Sequence, residues 1–165
     1  TATQATAQIG IGPQVGLQKA TDADKSRFVY GAALRLKLGA LLGAEGSIGY
    51  HTTKYQDGLL TSKTWPVMAT GLIYPLPIVY GLVGAGWYNN TIEYNVSELD
   101  TFGEVNEQKF GWHFGGGVEL PLGFAALTGD IRYVFIDYDW EEVPIVDEDL
   151  KANFYFISVG LMFGL

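Results

Sequence analysis

The sequence predicts an all-β fold, an eight-stranded antiparallel up-and-down β-barrel, and three observations support this prediction. Segments of about ten residues alternate between apolar and small or polar side chains, which is the period of a β-strand. Eight such segments follow one another along the 165 residues. Long polar connections and short Gly/Pro turns alternate between them, as expected when neighbouring strands run antiparallel and close on themselves.

The segment 109–120 indicates which row of side chains points outward. Phe110, Trp112 and Phe114 share one row, whereas the other row holds glycines and Glu119. A closed barrel of roughly 8 strands is barely wide enough inside for its side chains. Bulky rings from every strand would overfill it, so the apolar row is expected outside. Because an apolar exterior indicates lipid, the predicted fold is a transmembrane barrel.

The first three strands are predicted over residues 7–18, 27–38 and 42–55, because each alternates cleanly. Glycine and glutamine oppose the apolar row in the first, arginine and lysine in the second, and Glu45 and His51 in the third. The connections 19–26 and 56–63 are polar and are predicted to be loops. A short turn at 39–40 joins the second and third strands.

The next two strands are predicted over 65–74 and 78–89, on either side of a turn at 75–77. Both rows of the fourth strand mix polar and apolar residues, and we place one of the two outward. That row is Pro66, Met68, Leu72 and Tyr74. In the fifth strand the outward row is predicted to be Val79, Val83, Ala85 and Trp87.

The last three strands are predicted over 109–120, 124–136 and 153–165. Residues 90–107 and 137–150 are acidic and are predicted to be loops, and 121–123 a short turn. Short turns at one end and long loops at the other are typical of bacterial outer-membrane barrels, so both termini are expected on the periplasmic side. The residues predicted to face lipid are Ile9, Ile11, Val15, Leu34, Leu36, Phe110, Trp112, Phe114, Ile131, Tyr133, Val159, Leu161 and Phe163.

The opposite row predicts a polar interior. Its titratable members are Arg35, Lys37, Glu45, His51, Lys109, His113, Glu119, Asp130 and Arg132. A buried charge has to be paired, so we expect a plug of interior ion pairs. Arg35 and Glu45 flank one turn and are natural partners, and Arg132 could serve either Glu119 or Asp130. The alternative is a hydrated path for ions or small polar solutes.

Composition excludes several classes of protein. A net charge of −8 argues against nucleic acid as a partner, and the absence of cysteine excludes disulfides, thiolate zinc sites and cysteine nucleophiles. No run of about 20 apolar residues is present. We expect residues 1–165 to form one barrel domain, with 1–6 a short periplasmic segment, no soluble C-terminal domain and a signal peptide already removed.

With its strands laid out, the chain resembles the small eight-stranded bacterial outer-membrane barrels, the OmpA/OmpX-like and related porin-family β-barrel proteins. Three segments carry the resemblance: the glycine-rich 109–120, then Asp130-Ile131-Arg132-Tyr133, and the closing segment 158–163. The resemblance implies a location in the bacterial outer membrane. It does not imply one function, since such barrels serve as anchors, adhesins, small pores and enzymes.

Function is predicted to be structural or interactive: a plugged membrane anchor that presents acidic loops or joins an envelope complex. A narrow pore is the alternative, and a soluble lipocalin-like barrel with its rows inverted is a further one. The expected partners are outer-membrane lipid and lipopolysaccharide, with an envelope or surface protein and divalent cations at the acidic loops as further candidates.

Catalysis and metal binding are predicted to be absent. His51 and His113 are the only histidines and could form a metal pair or supply a catalytic base. They lie far apart in sequence with no cysteine or third histidine, so hydrogen bonding inside the barrel is the favoured interpretation. We therefore predict no catalytic, cofactor-binding or metal-binding residue, no cofactor and no enzymatic activity.

Overall fold

A computed structural model describes residues 7–20, 26–55, 60–96, 101–136 and 153–165. Eight antiparallel strands form one closed barrel in which each strand pairs with its sequence neighbours and β1 pairs with β8. The strands are β1 Ala7–Ala20, β2 Ser26–Leu38, β3 Leu42–Tyr55, β4 Leu60–Leu76, β5 Val79–Val96, β6 Thr101–Pro121, β7 Ala125–Ile136 and β8 Phe154–Phe163. The predicted fold class is thereby confirmed. Within the described ranges, no helix is long and apolar enough to cross a membrane.

Pairing fixes the stagger of the barrel. Following paired residues once around the wall, from β1 back to β1, the path starts at Ala7 and returns at Leu17, ten residues further along the same strand. Its steps are Ala7, Leu38, Leu42, Ile73, Gly81, Gly116, Ile131, Ile157 and Leu17. A stagger of this size over eight strands corresponds to a tilt of roughly 40° from the barrel axis.

The two ends of the barrel differ. Short turns of two or three residues join β2 to β3, β4 to β5 and β6 to β7. Gly39 and Gly123 have φ of 70° and 90° in the first and third of these turns, a conformation that residues with a Cβ rarely adopt. The other connections, 21–25, 56–59, 97–100 and 137–152, are longer and lie outside the described residues.

Accessibility separates the two rows along the strands. Ile9, Ile11, Val15 and Leu17 of β1 are exposed, whereas the residues between them are mostly buried. Exposed rings near the loop end of the barrel form an aromatic belt around most of the wall. Its members are Phe28, Tyr30, Trp65, Trp87, Phe110, Trp112 and Tyr155. A band of apolar side chains edged by rings is what a membrane barrel presents to lipid.

The fourth strand corrects a prediction. Met68, Leu72 and Tyr74 are buried, whereas Trp65 and Ile73, on the other row, are exposed. The preferred orientation of this strand was therefore wrong. Leu42, which is exposed on β3, pairs with Ile73, and paired residues share a face of the sheet, so neighbouring strands decide an orientation that the mixed rows could not.

The third outer connection corrects a second prediction. Residues 90–107 were predicted to be a loop, but β5 continues to Val96 and β6 begins at Thr101, paired with it. The fourth strand likewise begins at Leu60, inside the predicted loop 56–63. The fourth acidic loop, 137–150, lies outside the described residues. The barrel wall is consequently taller along β4, β5 and β6 than the sequence indicated.

Candidate functional site

Six charged side chains meet inside the barrel and form one connected ion network. The network contains three cations and three anions, so its formal charge is zero: Lys37, Glu119, Arg35, Glu45, Arg132 and Asp130. In this order, each member touches the next and the sign alternates. Five of the six are buried and Lys37 is 17% exposed at its side chain.

Glu45 joins the two arginines. Arg35 Nε donates to Glu45 Oε2 at 2.9 Å, and Arg132 Nη2 donates to Glu45 Oε1 at 2.7 Å. Arg35 and Glu45 are directly paired residues of β2 and β3, which places them together as the sequence predicted. One carboxylate therefore bridges cations from β2 and β7, which lie on well-separated parts of the wall.

Glu119 forms the turn-side end of the network. It accepts from Lys37 Nζ at 2.7 Å, from Arg35 Nη1 at 2.9 Å and from Tyr74 OH at 3.0 Å. Arg132 was expected to serve Glu119 or Asp130. It binds Asp130, through Nε at 2.7 Å, and not Glu119. Arg35 and Lys37 contact the two carboxylate oxygens of Glu119 instead.

Uncharged side chains complete the hydrogen bonding. Tyr80 OH and Ser158 Oγ donate to Asp130 at 3.0 and 2.9 Å, and Gln14 Nε2 donates to Ser158 Oγ at 3.0 Å. The ion network and its uncharged partners together thus include a side chain from each of the eight strands. Tyr74 and Tyr80 were missed as interior residues because aromatic rings were assigned to the exterior. The parity of β5 could have revealed Tyr80, since Val79 and Val83 share the other row.

The loop-side mouth of the interior is filled by an apolar cap that the sequence did not reveal. Its buried members are Val29, Met68, Tyr88, Val134, Phe154 and Phe156. Tyr88 and Phe154 pack edge to face with ring centroids 5.7 Å apart. A cavity of about 10 Å³ beside Ser47 and Met68 has room for about one water. The ion network and the cap both lie in the described interior of the barrel.

The two histidines lie apart. His113 Nε2 is 2.8 Å from the Thr70 hydroxyl, and His51 lies on β3 near the loop end. Both are buried. A hydroxyl beside an imidazole resembles a nucleophile and base, but the Thr70–His113 pair is enclosed by the barrel wall. Among the described residues, no three His, Asp or Glu side chains gather as a metal site would require.

The remaining predicted residues lie near the loop end or on the exterior of the barrel. Lys109 lies near the loop end, 3.3 Å from Glu107. In the predicted lipid-facing row, Leu36, Tyr133 and Leu161 are partly covered and the remaining ten are exposed. Contact of these side chains with lipid stays a prediction. Of the acidic residues assigned to the third loop, Glu93 instead lies on β5 and pairs with Lys63 at 2.7 Å.

An apolar exterior around a polar, ion-paired interior defines the class of this protein: it is a membrane β-barrel. The model of one family, described as the outer membrane protein beta-barrel domain, matches residues 1–163. The chain belongs to this family, and its location is the bacterial outer membrane. The rows are not inverted, so the soluble lipocalin-like alternative was wrong.

Several solved structures of bacterial proteins have the same fold. A major outer membrane protein from Thermus thermophilus aligns with a TM-score of 0.67 at 13% identity, over 96% of this chain and 99% of that one. Neisserial surface protein A gives 0.58 at 14%, over 99% and 100%. Ail of Yersinia pestis, in complex with the heparin analogue sucrose octasulfate, gives 0.56 at 18%, over 98% and 100%. No curated protein sequence matches the chain significantly.

Proposed function

We propose that this protein is a closed outer-membrane anchor that presents a β-sheet at the cell surface, without enzymatic activity. The observation that carries the proposal is the filling of the interior by the ion network and the apolar cap. Each network charge contacts an opposite charge within 3 Å, so no ionised side chain there remains to bind a passing ion. A narrow pore would need such groups around a wet path.

The presented element is the upper part of four neighbouring strands, which we name the projecting sheet: residues 51–55, 60–66, 88–96 and 101–110. Pairing between β2 and β3 extends no higher than Tyr30 and Tyr50, whereas β3 and β4 pair up to Tyr55 and Leu60. On the other side, the β6–β7 pairing ends at Gly111. Within the described ranges these four strands therefore rise above the rest of the wall.

The outward face of the projecting sheet is polar and braced by cross-strand contacts. Gln108 Nε2 donates to Asn89 Oδ1 at 2.8 Å, and Thr91 Oγ1 donates to Asn106 Oδ1 at 2.8 Å. Amide and hydroxyl groups suit contact with water, with lipopolysaccharide sugars or with another envelope protein. We propose these as the partners of the sheet, because it rises above the aromatic belt. We also propose divalent cations as partners of the acidic loops.

Conductance across a planar bilayer tests the closed interior. The purified protein is expected to give no steady current at moderate voltage, because ion pairs and the apolar cap fill the interior. A known porin added afterwards to the same bilayer shows that openings would have been detected. Stable, reproducible openings from the protein itself would contradict the proposed anchor and favour the narrow pore.

A further inference from the structure

The three short turns of the barrel have no polar or charged side chain. They consist of Gly39-Ala40-Leu41, Pro77-Ile78 and Leu122-Gly123-Phe124. Leu41 is 64% exposed and Phe124 is 74% exposed, and Ile78 and Leu122 are exposed as well. Turns that stand in water usually combine Gly or Pro with Asn, Asp or Ser, whereas these turns combine Gly or Pro with Ala, Leu, Ile and Phe. Apolar side chains at all three tips are therefore unusual for an end of the barrel that meets water.

Within the described ranges, no charged side chain lies on the exterior at this end. Among the described residues, Lys37 and Glu119 are the charged side chains nearest the turns, and they face inward and bind each other. The charged residues outside the ion network cluster at the opposite end: Lys19, Arg27, Lys54, Lys63, Glu93, Glu107 and Lys109. The described exterior thus has a charged rim on the loop side and an apolar rim on the turn side.

The strands leading into the turns continue this apolar surface. Leu38, Leu76 and Leu120 are exposed just before the three turns, and Leu42 just after the first. The tips therefore join the apolar exterior of the wall without a polar break. A contiguous apolar surface of this kind marks a contact with membrane or with another protein.

Backbone hydrogen bonds hold the turns in place. Leu41 O accepts from Tyr74 N at 2.8 Å, Ile78 O accepts from Glu119 N at 2.8 Å, and Leu122 N donates to Ala125 O at 2.7 Å. Each turn is thereby tied to its own hairpin or to the neighbouring strand. The exposed side chains at the tips are consequently a built feature of the barrel.

We infer that the turn end is seated inside the lipid leaflet, with its three apolar tips buried at the boundary between headgroups and acyl chains. Lipid is the occupant that fits, because the tips are continuous with the apolar wall and lack the charges that would hold a rim in water. Apolar residues of interfacial elements lie at this depth. The inference goes beyond the proposed anchor, since an open pore could be seated equally low.

Single cysteines test this depth, because the chain has none of its own. Leu41→Cys and Leu122→Cys are each labelled with a polarity-sensitive fluorophore and folded into phosphatidylethanolamine–phosphatidylglycerol vesicles. Leu34→Cys, halfway up the wall, is the lipid control, and Thr91→Cys, on the projecting sheet, is the water control. Quenching by doxyl-labelled lipid and by aqueous iodide is then measured for each label.

Labels at Leu41 and Leu122 are expected to be quenched by doxyl lipid and to be quenched by iodide several-fold less than the label at Thr91. Gel mobility without heating verifies that every variant is folded, and an unfolded variant is replaced by Ile78→Cys. Iodide quenching equal to that at Thr91, with no effect of doxyl lipid, would place the tips in water and overturn the inference. The rim would then need a protein partner to cover it.

Discussion

At the scale of single residues, the interior is held by charges that depend on one another. Glu45 lies between Arg35 and Arg132 and is buried with both, so its loss leaves two guanidinium groups without their shared anion. Removing one partner of a buried ion pair costs about 3–5 kcal/mol, whereas an exposed pair contributes about 0–1 kcal/mol. Burial therefore makes the network far more sensitive to substitution than the ion pairs on the surface.

We predict that Glu45→Gln lowers the free energy of unfolding by about 3–5 kcal/mol, because the buried network is left with three cations and two anions. Lys63→Met is the matched control: its pair with Glu93 is partly exposed, and its loss should cost no more than about 1 kcal/mol. Urea unfolding of both variants in the same vesicles measures the difference. Equal losses would show that the network is not a stabilising core.

Sequence reasoning succeeded for residues whose partners lie across one short turn. Arg35 and Glu45 are ten positions apart around the turn at 39–41 and meet as predicted. It failed for Glu45 and Arg132, whose contact crosses the interior between β3 and β7. Contacts of that kind depend on the diameter of the barrel and on the stagger of its strands, and neither quantity can be read from alternation along one strand.

At the scale of elements, alternation located every strand but misjudged the height of three. The upper parts of β5 and β6 are rich in asparagine and glutamate, which are depleted in strands. Only a short apolar row, Ile92, Tyr94 and Val96, alternates with polar residues there on β5. Above the membrane a strand does not need an apolar face toward lipid, so the alternation becomes short or irregular although the backbone pairing continues. The acidic and amide residues of this stretch therefore predicted a loop where the strand pairing continues.

The projecting sheet predicts which positions are reachable from outside the cell. Thr91→Cys, which lies on its outward face, should react with a membrane-impermeant maleimide on intact bacteria. Ala40→Cys, in the turn at the opposite end, should stay unlabelled in intact cells and react only once the protein is denatured, because outer-membrane barrels keep their short turns on the periplasmic side. Labelling of Ala40→Cys but not of Thr91→Cys in intact cells would show that the presented end has been assigned wrongly.

At the scale of the whole molecule, the two faces of the wall have opposite chemistry. Closure pairs β1 with β8 and leaves no edge strand in lipid, and every strand contributes a polar member to the interior. The number of strands and the alternation of turns and loops were predictable, because both follow from counting periodic segments. The apolar cap was not, since inward apolar residues of separate strands come together only through the stagger of the barrel.

The orientation of the two rows decides which side chains meet lipid and which form the interior, and one tryptophan tests it directly. Trp65→Phe, Trp87→Phe and Trp140→Phe together leave Trp112 as the sole tryptophan. In vesicles of brominated lipid, the fluorescence of Trp112 should be strongly quenched, and aqueous iodide should have little effect. Fluorescence that brominated lipid leaves unchanged would place Trp112 inside the barrel and contradict the outward orientation of its row.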